Sequence, residues 1–402
     1  MPSVPSELRQ NVWKVYVLSA LSNFGFSVPI VILFQQSLGF SLEQAFTIQA
    51  FYSMTLVCFE IPSGYLSDRW GRKKTIISGS VALFLGMILY CLGSTFSAFL
   101  AAEFFLAIGM SLHSGTLEAI TYDSLLELKE EKHYRRISGH QAFISLASRS
   151  GIALLVGVIA AVNLRAPFWA DLILFGAGLL VALLLKEPSR HQLKATGHLH
   201  AMWNIFSFAL IRSALLRSLI ILYTVVAAIN LMIFWFLQPY QNAVSLPLPY
   251  FGVLSALIFI ASAVASKYTY LVKRWLSDRL FLLLLSLIAV LCCVVLGFTL
   301  TLWGLALFFI GETTFNAFET LTGDLINKAT TSDMRATILS LRSFTSRLFF
   351  ALISPLLGYF ADAFSLNQAI LLSGLIGLAG LGVTFLFTFP VWERLPHGHR
   401  HK

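Results

Sequence analysis

The chain is a series of apolar runs, each too long for an ordinary soluble helix. Twelve of them lie at about 13–35, 43–66, 75–96, 98–126, 137–162, 166–185, 214–239, 249–272, 279–300, 301–327, 335–361 and 366–391. An α-helix rises 1.5 Å per residue, so ~20 residues are needed to cross ~30 Å of hydrocarbon, and every run reaches that length. Lipid offers the backbone no hydrogen-bond partners. A spanning segment must therefore be a helix or a strand of a closed barrel. Barrel strands are ~9–11 residues long, which excludes them here. The fold class expected is an all-α polytopic membrane protein with twelve transmembrane helices. Only 12% of the residues are charged and 57% are hydrophobic, against about 25% charged in a soluble domain.

The net charge of +9 is explained by its placement and needs no nucleic acid. An even number of spans puts both termini on one side. Of the 28 Lys and Arg residues, 24 fall in connections or span ends on that side, and only Arg165 falls on the other. The positive-inside rule makes the basic side cytoplasmic, and the expected location is the inner (plasma) membrane. The first run, starting near Trp13, is long enough for a span and has no signal-peptide cleavage pattern after it. The four cysteines all lie in apolar runs, so no disulfide framework is expected. The longest connection, 186–213, separates six spans from six. Expected domains are therefore 1–185, a linker 186–213 whose second part could lie as an interfacial helix, and 214–402. Trp235, Tyr240 and Tyr250 read as an interfacial aromatic belt.

One connection is unlike the rest: Gly64-Tyr65-Leu66-Ser67-Asp68-Arg69-Trp70-Gly71-Arg72-Lys73-Lys74. It reads as a short, water-exposed loop, punctuated by glycine. Gly64, Leu66, Ser67, Asp68, Arg69, Gly71, Arg72 and Lys73 match G-x-L-[A/S]-D-[R/K]-x-G-R-[R/K], the signature that joins membrane helices two and three in the major facilitator superfamily. The chain resembles that family. The resemblance implies two like-oriented six-helix bundles forming a secondary transporter that works by alternating access. It also implies that Asp68 and Arg72, with an acid at the end of helix four, form a latch on the cytoplasmic side. Here that acid is Asp123. Arg69, Arg136, Asp324 and Arg335 join the gating set as neighbours or repeat equivalents.

The two halves echo one another. Glu118 and Asp123 are five residues apart in the fourth run, as are Glu319 and Asp324 in the tenth. Arg136 is followed by Arg149, and Arg335 by Arg347. Ser277-Asp278-Arg279 is a faded counterpart of Ser67-Asp68-Arg69. Such internal repeats are typical of transporter folds. Arg149 and Arg347 lie roughly 20 Å and 18 Å along their helices from Arg136 and Arg335, near the midplane. An ionisable group there costs at least ~2.5–3.5 kcal/mol and is usually turned to a cavity or a partner. Arginine stays charged and forks to carboxylates. Arg149 and Arg347 are thus expected to clamp an anionic group, unless each pairs with an acid of its own half; Glu312 is the depth-matched acid for Arg347. Asn23, Asn230 and Asn316 are candidate lining residues. Glu312, His113 and Glu118 are candidates for proton coupling, with Glu103 a further acid near the outer end of its run.

The function expected is transport of a small, anionic solute, an organic acid or a carboxylate-type chelator such as a siderophore. Protons are the expected coupling ion, the lipid bilayer the solvent, and the monomer the working form. Multidrug efflux is the alternative. Drug antiporters of the superfamily carry a glycine-proline motif in helix five, and residues 150–157 here lack the proline. A non-transporting receptor on the same scaffold is a third class. No cofactor or metal site is expected. His397, His399 and His401 read as a basic tail. The chain has no G-x-x-x-x-G-K-[S/T], H-E-x-x-H or G-x-S-x-G pattern, so ATP-driven transport and intramembrane hydrolysis have no support, and the chain reads as no enzyme.

Overall fold

The computed structural model describes residues 4–22, 25–189, 205–273 and 275–392. Among the described residues there are fourteen α-helices of seven residues or more: α1 Val4–Ser22, α2 Val31–Ser37, α3 Leu42–Trp70, α4 Arg72–Leu92, α5 Phe96–His113, α6 Thr116–Glu127, α7 Tyr134–Val162, α8 Ala166–Leu183, α9 Ala214–Ala243, α10 Pro249–Lys273, α11 Asp278–Leu296, α12 Gly304–Ala329, α13 Ser332–Ala363 and α14 Leu366–Trp392. They make the twelve spans read from the sequence, because α1 with α2 forms the first and α5 with α6 the fourth. Nine of the described spans are apolar enough to cross a membrane by composition alone. The other three, α1–α2, α3 and α12, carry more polar and charged residues. Exposed Phe143, Val162, Ile173 and Leu386 are what helix faces turned to hydrocarbon would show.

The chain forms two compact units. The first holds Met1–Phe40, Ile48–Lys194 and Pro247–Ala256; the second holds Ser41–Thr47, Ala195–Leu246 and Leu257–Lys402. In the first, α4 and α5 approach closely through small residues. A methyl group on Gly86 would sit 2.8 Å from the Ala102 carbonyl oxygen, and one on Gly109 would sit 2.8 Å from that of Gly79. In the second, α9 is the central helix, with a cluster of buried residues that runs from Leu216 to Ala227 and packs on Leu282, Phe318 and Ile338.

Three sequence expectations change. The segment 64–70 is not a loop: α3 continues through Pro62 to Trp70. Only Gly71 interrupts it, at φ 113° and ψ 151°, a conformation that excludes a Cβ. Tyr65, Asp68, Arg69 and Trp70 are exposed on this helical end. The first span is not continuous. Residues 25–27 are not helical, and the chain restarts with a 3-10 turn at Val28–Ile30, which has Pro29 in its first positions. Tyr240 is not part of a belt, because it is fully buried and donates to the Thr299 and Thr301 carbonyls at 2.9 and 3.0 Å.

In the linker, Lys186–Ser189 and 205–213 are described, the latter including a π-helical turn at Phe208–Arg212. The rest of it, Asn23 and the C-terminal histidines lie outside the described residues.

Candidate functional site

At the basic end of the first unit, α4 begins directly after Gly71. Its first two N–H groups donate to the two oxygens of Glu187, Arg72 at 2.9 Å and Lys73 at 2.7 Å. A carboxylate at a helix N-terminus meets both the free donors and the positive end of the dipole. That anchorage aims the Arg72 side chain back along α3. Its Nη1 donates to Ser67 Oγ and Asp68 Oδ1, both at 2.7 Å, and its Nε to Asp123 Oδ2 of α6 at 3.1 Å. One half-buried guanidinium therefore ties the ends of three spans, and the expected Asp68–Arg72–Asp123 group is brought together. Glu118 lies one turn earlier on α6, exposed, while Arg69 and Arg136 are exposed nearby in sequence.

The second unit answers differently. Asp324 pairs with Lys328, one turn along the same helix, at 2.7 Å. Arg335 donates to the Asn327 carbonyl at 3.1 Å. Asp278 is buried at the start of α11, where Ser277 caps the helix, whereas Asp68 is exposed.

Deeper in the second unit the structure builds a polar group that the sequence reading met only in part. Arg342 of α13 lies 4.0 Å over the ring of Tyr223, and its Nη2 is 3.5 Å from Glu319 Oε1. The Tyr223 hydroxyl donates to that same oxygen at 2.9 Å. A guanidinium over an aromatic face, beside a half-exposed carboxylate, gains from both contacts. The acid–arginine pair formed here is thus Glu319–Arg342. Glu312, buried in α12, accepts from Asn230 Nδ2 at 3.3 Å, and the Asn316 side chain donates to the Glu312 backbone carbonyl at 2.8 Å. Asn230 of α9 thus meets the Glu312 carboxylate across two helices, while the Asn316 side chain bonds to the backbone of its own helix. Arg149 is exposed on α7 and Arg347 half-buried on α13.

In the first unit His113 is wedged against α4, with Nε2 3.0 Å from the Ile76 carbonyl and 3.1 Å from Ser80 Oγ. A group missed from sequence is Asp171 of α8. It is fully buried and accepts three hydrogen bonds where the first span is broken: from the Phe26 and Ser27 N–H groups at 2.9 Å each, and from Ser27 Oγ at 2.6 Å. The only sequence signal was a lone acid in the apolar run 166–185.

Comparison with known proteins agrees with this architecture. The family model of the Major Facilitator Superfamily matches residues 12–352. An inner membrane transport protein of Escherichia coli, YajR, is 30% identical over 148 residues, covering 35% of this chain and 30% of the relative. A multidrug transporter of Aspergillus fumigatus, mfsC, is 26% identical over 167 residues, 42% of this chain and 31% of the relative. The matched region thus spans about a third of the length of these curated relatives. Among solved structures, the nucleoside transporter NupG superposes with a TM-score of 0.76 at 11% identity, covering 96% of this chain and 100% of that one. A family match over most of the chain, joined to a twelve-span helical fold, gives the family: the chain belongs to the Major Facilitator Superfamily.

Proposed function

We propose that this chain is a proton-coupled secondary transporter that moves a small organic anion, an organic acid or a carboxylate-type chelator, by alternating access. The observation that carries the reading is the pair Arg149 and Arg347. Each sits in the apolar part of the equivalent span of its unit, α7 and α13, and neither is packed into the core. Arginine cannot shed its charge, so keeping one in each repeat makes sense where a negative solute is bound. Asn230 and Asn316 supply neutral donors beside Glu312, which is the leading proton carrier of the second unit; His113 and Glu118 are candidates in the first. Arg72 with Asp68 and Asp123 forms the gate, with Arg69, Arg136, Asp324 and Arg335 around it. The protein works as a monomer in the inner membrane, with its basic ends and both termini in the cytoplasm.

The test is transport in proteoliposomes against a panel of radiolabelled organic acids, chelators and cationic drugs. Accumulation of an acid that collapses with a protonophore supports the reading. Accumulation unchanged in R149A and R347A removes the anion clamp. Multidrug efflux is the second reading, favoured by the likeness to the fungal multidrug transporter; accumulation of drugs but no acids would select it.

A further inference from the structure

The first unit buries two carboxylates, Asp171 and Glu103, and their partners differ in kind. Two of the three donors to Asp171 are backbone N–H groups. Such groups can only donate, so their bonds to Asp171 have a fixed direction. Glu103, on α5, has partners that can turn round. The Tyr90 hydroxyl of α4 donates to Glu103 Oε1, and Gln49 Nε2 of α3 lies 3.4 Å from the same oxygen. Behind them, Gln35 Nε2 of α2 donates to the Tyr90 hydroxyl oxygen at 3.3 Å. All four side chains are buried.

The Tyr90 ring is held in place. It stacks on Phe168 at 5.1 Å and 15°, and lies 4.9 Å from Phe99. Its oxygen therefore stays put while its hydrogen is free to rotate. At the far end, Gln35 Oε1 is buried with no hydrogen-bond partner among the described residues. An orphan acceptor inside an apolar bundle is costly. A half-turn of the Gln35 amide would put that oxygen against the Tyr90 hydroxyl.

We propose that Glu103 is a proton-binding site, at which a proton from water adds to the carboxylate while Tyr90 and Gln35 reverse their hydrogen bonds to follow it. In the ionised state the donors run from Gln35 to Tyr90 to Glu103. In the protonated state the new carboxyl O–H donates to the Tyr90 oxygen, and the Tyr90 hydroxyl donates to the turned Gln35 oxygen. One proton is gained, the Glu103–Tyr90 and Tyr90–Gln35 contacts are kept with their directions reversed, and the Gln35 oxygen that lacks a partner in the ionised state gains one.

The neighbouring charges favour this exchange. Among the described residues Glu103 makes no ion pair. The nearby cation, Arg165, donates to the Cys91 and Gly93 carbonyls and to Ser94, and lies over the Phe34 ring. Of the other titratable groups on the packed helices, Cys91 of α4 is buried, and Asp171 of α8 is bonded to Phe26 and Ser27. The site deepens the proton-coupled reading above and rests on it for its use in transport.

The test is infrared difference spectroscopy on the purified full-length protein in lipid nanodiscs, between mildly acidic and mildly alkaline pH. The expected result is a protonated-carboxyl C=O stretch that titrates, is lost in E103Q, and changes frequency in Y90F and Q35M. A titrating band identical in E103Q and wild type overturns the proposal. Should E103Q not fold, Y90F and Q35M decide, because a band that moves in neither also overturns it. The measurement needs no substrate. Protonophore-insensitive uptake beside a titrating Glu103 band leaves the site standing and removes the coupling; the converse removes the site alone.

Discussion

The two units are built on the same six-span plan, yet among the described residues only the first has broken spans. Its first span is non-helical at 25–27 and restarts at Val28, and its fourth turns at Gly115, in the left-handed region at φ 70°. The counterparts in the second unit, α9 and α12, run unbroken for 30 and 26 residues. The difference follows from what each unit has to offer a freed backbone. A break in lipid exposes N–H groups that need acceptors. In the first unit α8 supplies Asp171. Its counterpart α14 has no charged residue at all, and α9 keeps its donors within the helix. A discontinuity inside the membrane is thus a two-helix property, set by the acceptor as much as by the broken helix.

This comparison can be broken by mutation. The largest effect is expected for Asp171→Leu, which strands two backbone N–H groups and a hydroxyl. The cost should be about 3 kcal/mol or more, read as a large drop in the unfolding midpoint in detergent. A midpoint unchanged from wild type would refute the role given to the acid. Next comes Arg72→Ala, which removes three contacts and leaves half-buried Asp123 without its arginine. We expect a loss of about 1–2 kcal/mol, with an increase in protease sensitivity at the ends of α3 and α6. Gly115→Ala places a Cβ at positive φ and should cost about 1 kcal/mol, measurable as a shift in the same midpoint. The smallest effect belongs to the second unit's version of the latch. Lys328→Ala breaks an exposed i,i+4 pair worth about 0.3–0.5 kcal/mol, so its midpoint should stay close to wild type. A loss as large as that of Arg72→Ala would make the two ends equivalent after all.

Some of the candidate site was readable in advance and some was not. Arg72 and Asp123 could be paired because a fixed signature gives the depth of each. Asn230 and Glu312 were picked out separately as polar residues on apolar helices, and the structure joined them. Asp171 was not read, because its partners lie 144 and 145 residues away and their donors belong to the backbone, which has no sequence signature. Tyr90 looked like one aromatic among many until α4 and α5 came within glycine distance and set it against Glu103. Tyr240 looked interfacial from its place near a helix end, yet it fills the turn before α12. The Glu319–Arg342 pair was not read from the sequence, because it also needs the Tyr223 ring from a third helix.

The amino-acid order by itself determined the solvent, the number of spans, the side on which positive charge collects and the repeat of one half in the other. Those are properties of segment length and transfer energy, and each can be summed along the chain without knowing what lies beside it. Tertiary structure alone decided where a span breaks and which donors each buried acid meets. Those outcomes depend on the donors and acceptors that another helix brings within 3 Å, where the low dielectric makes one hydrogen bond decide the charge state of its partner.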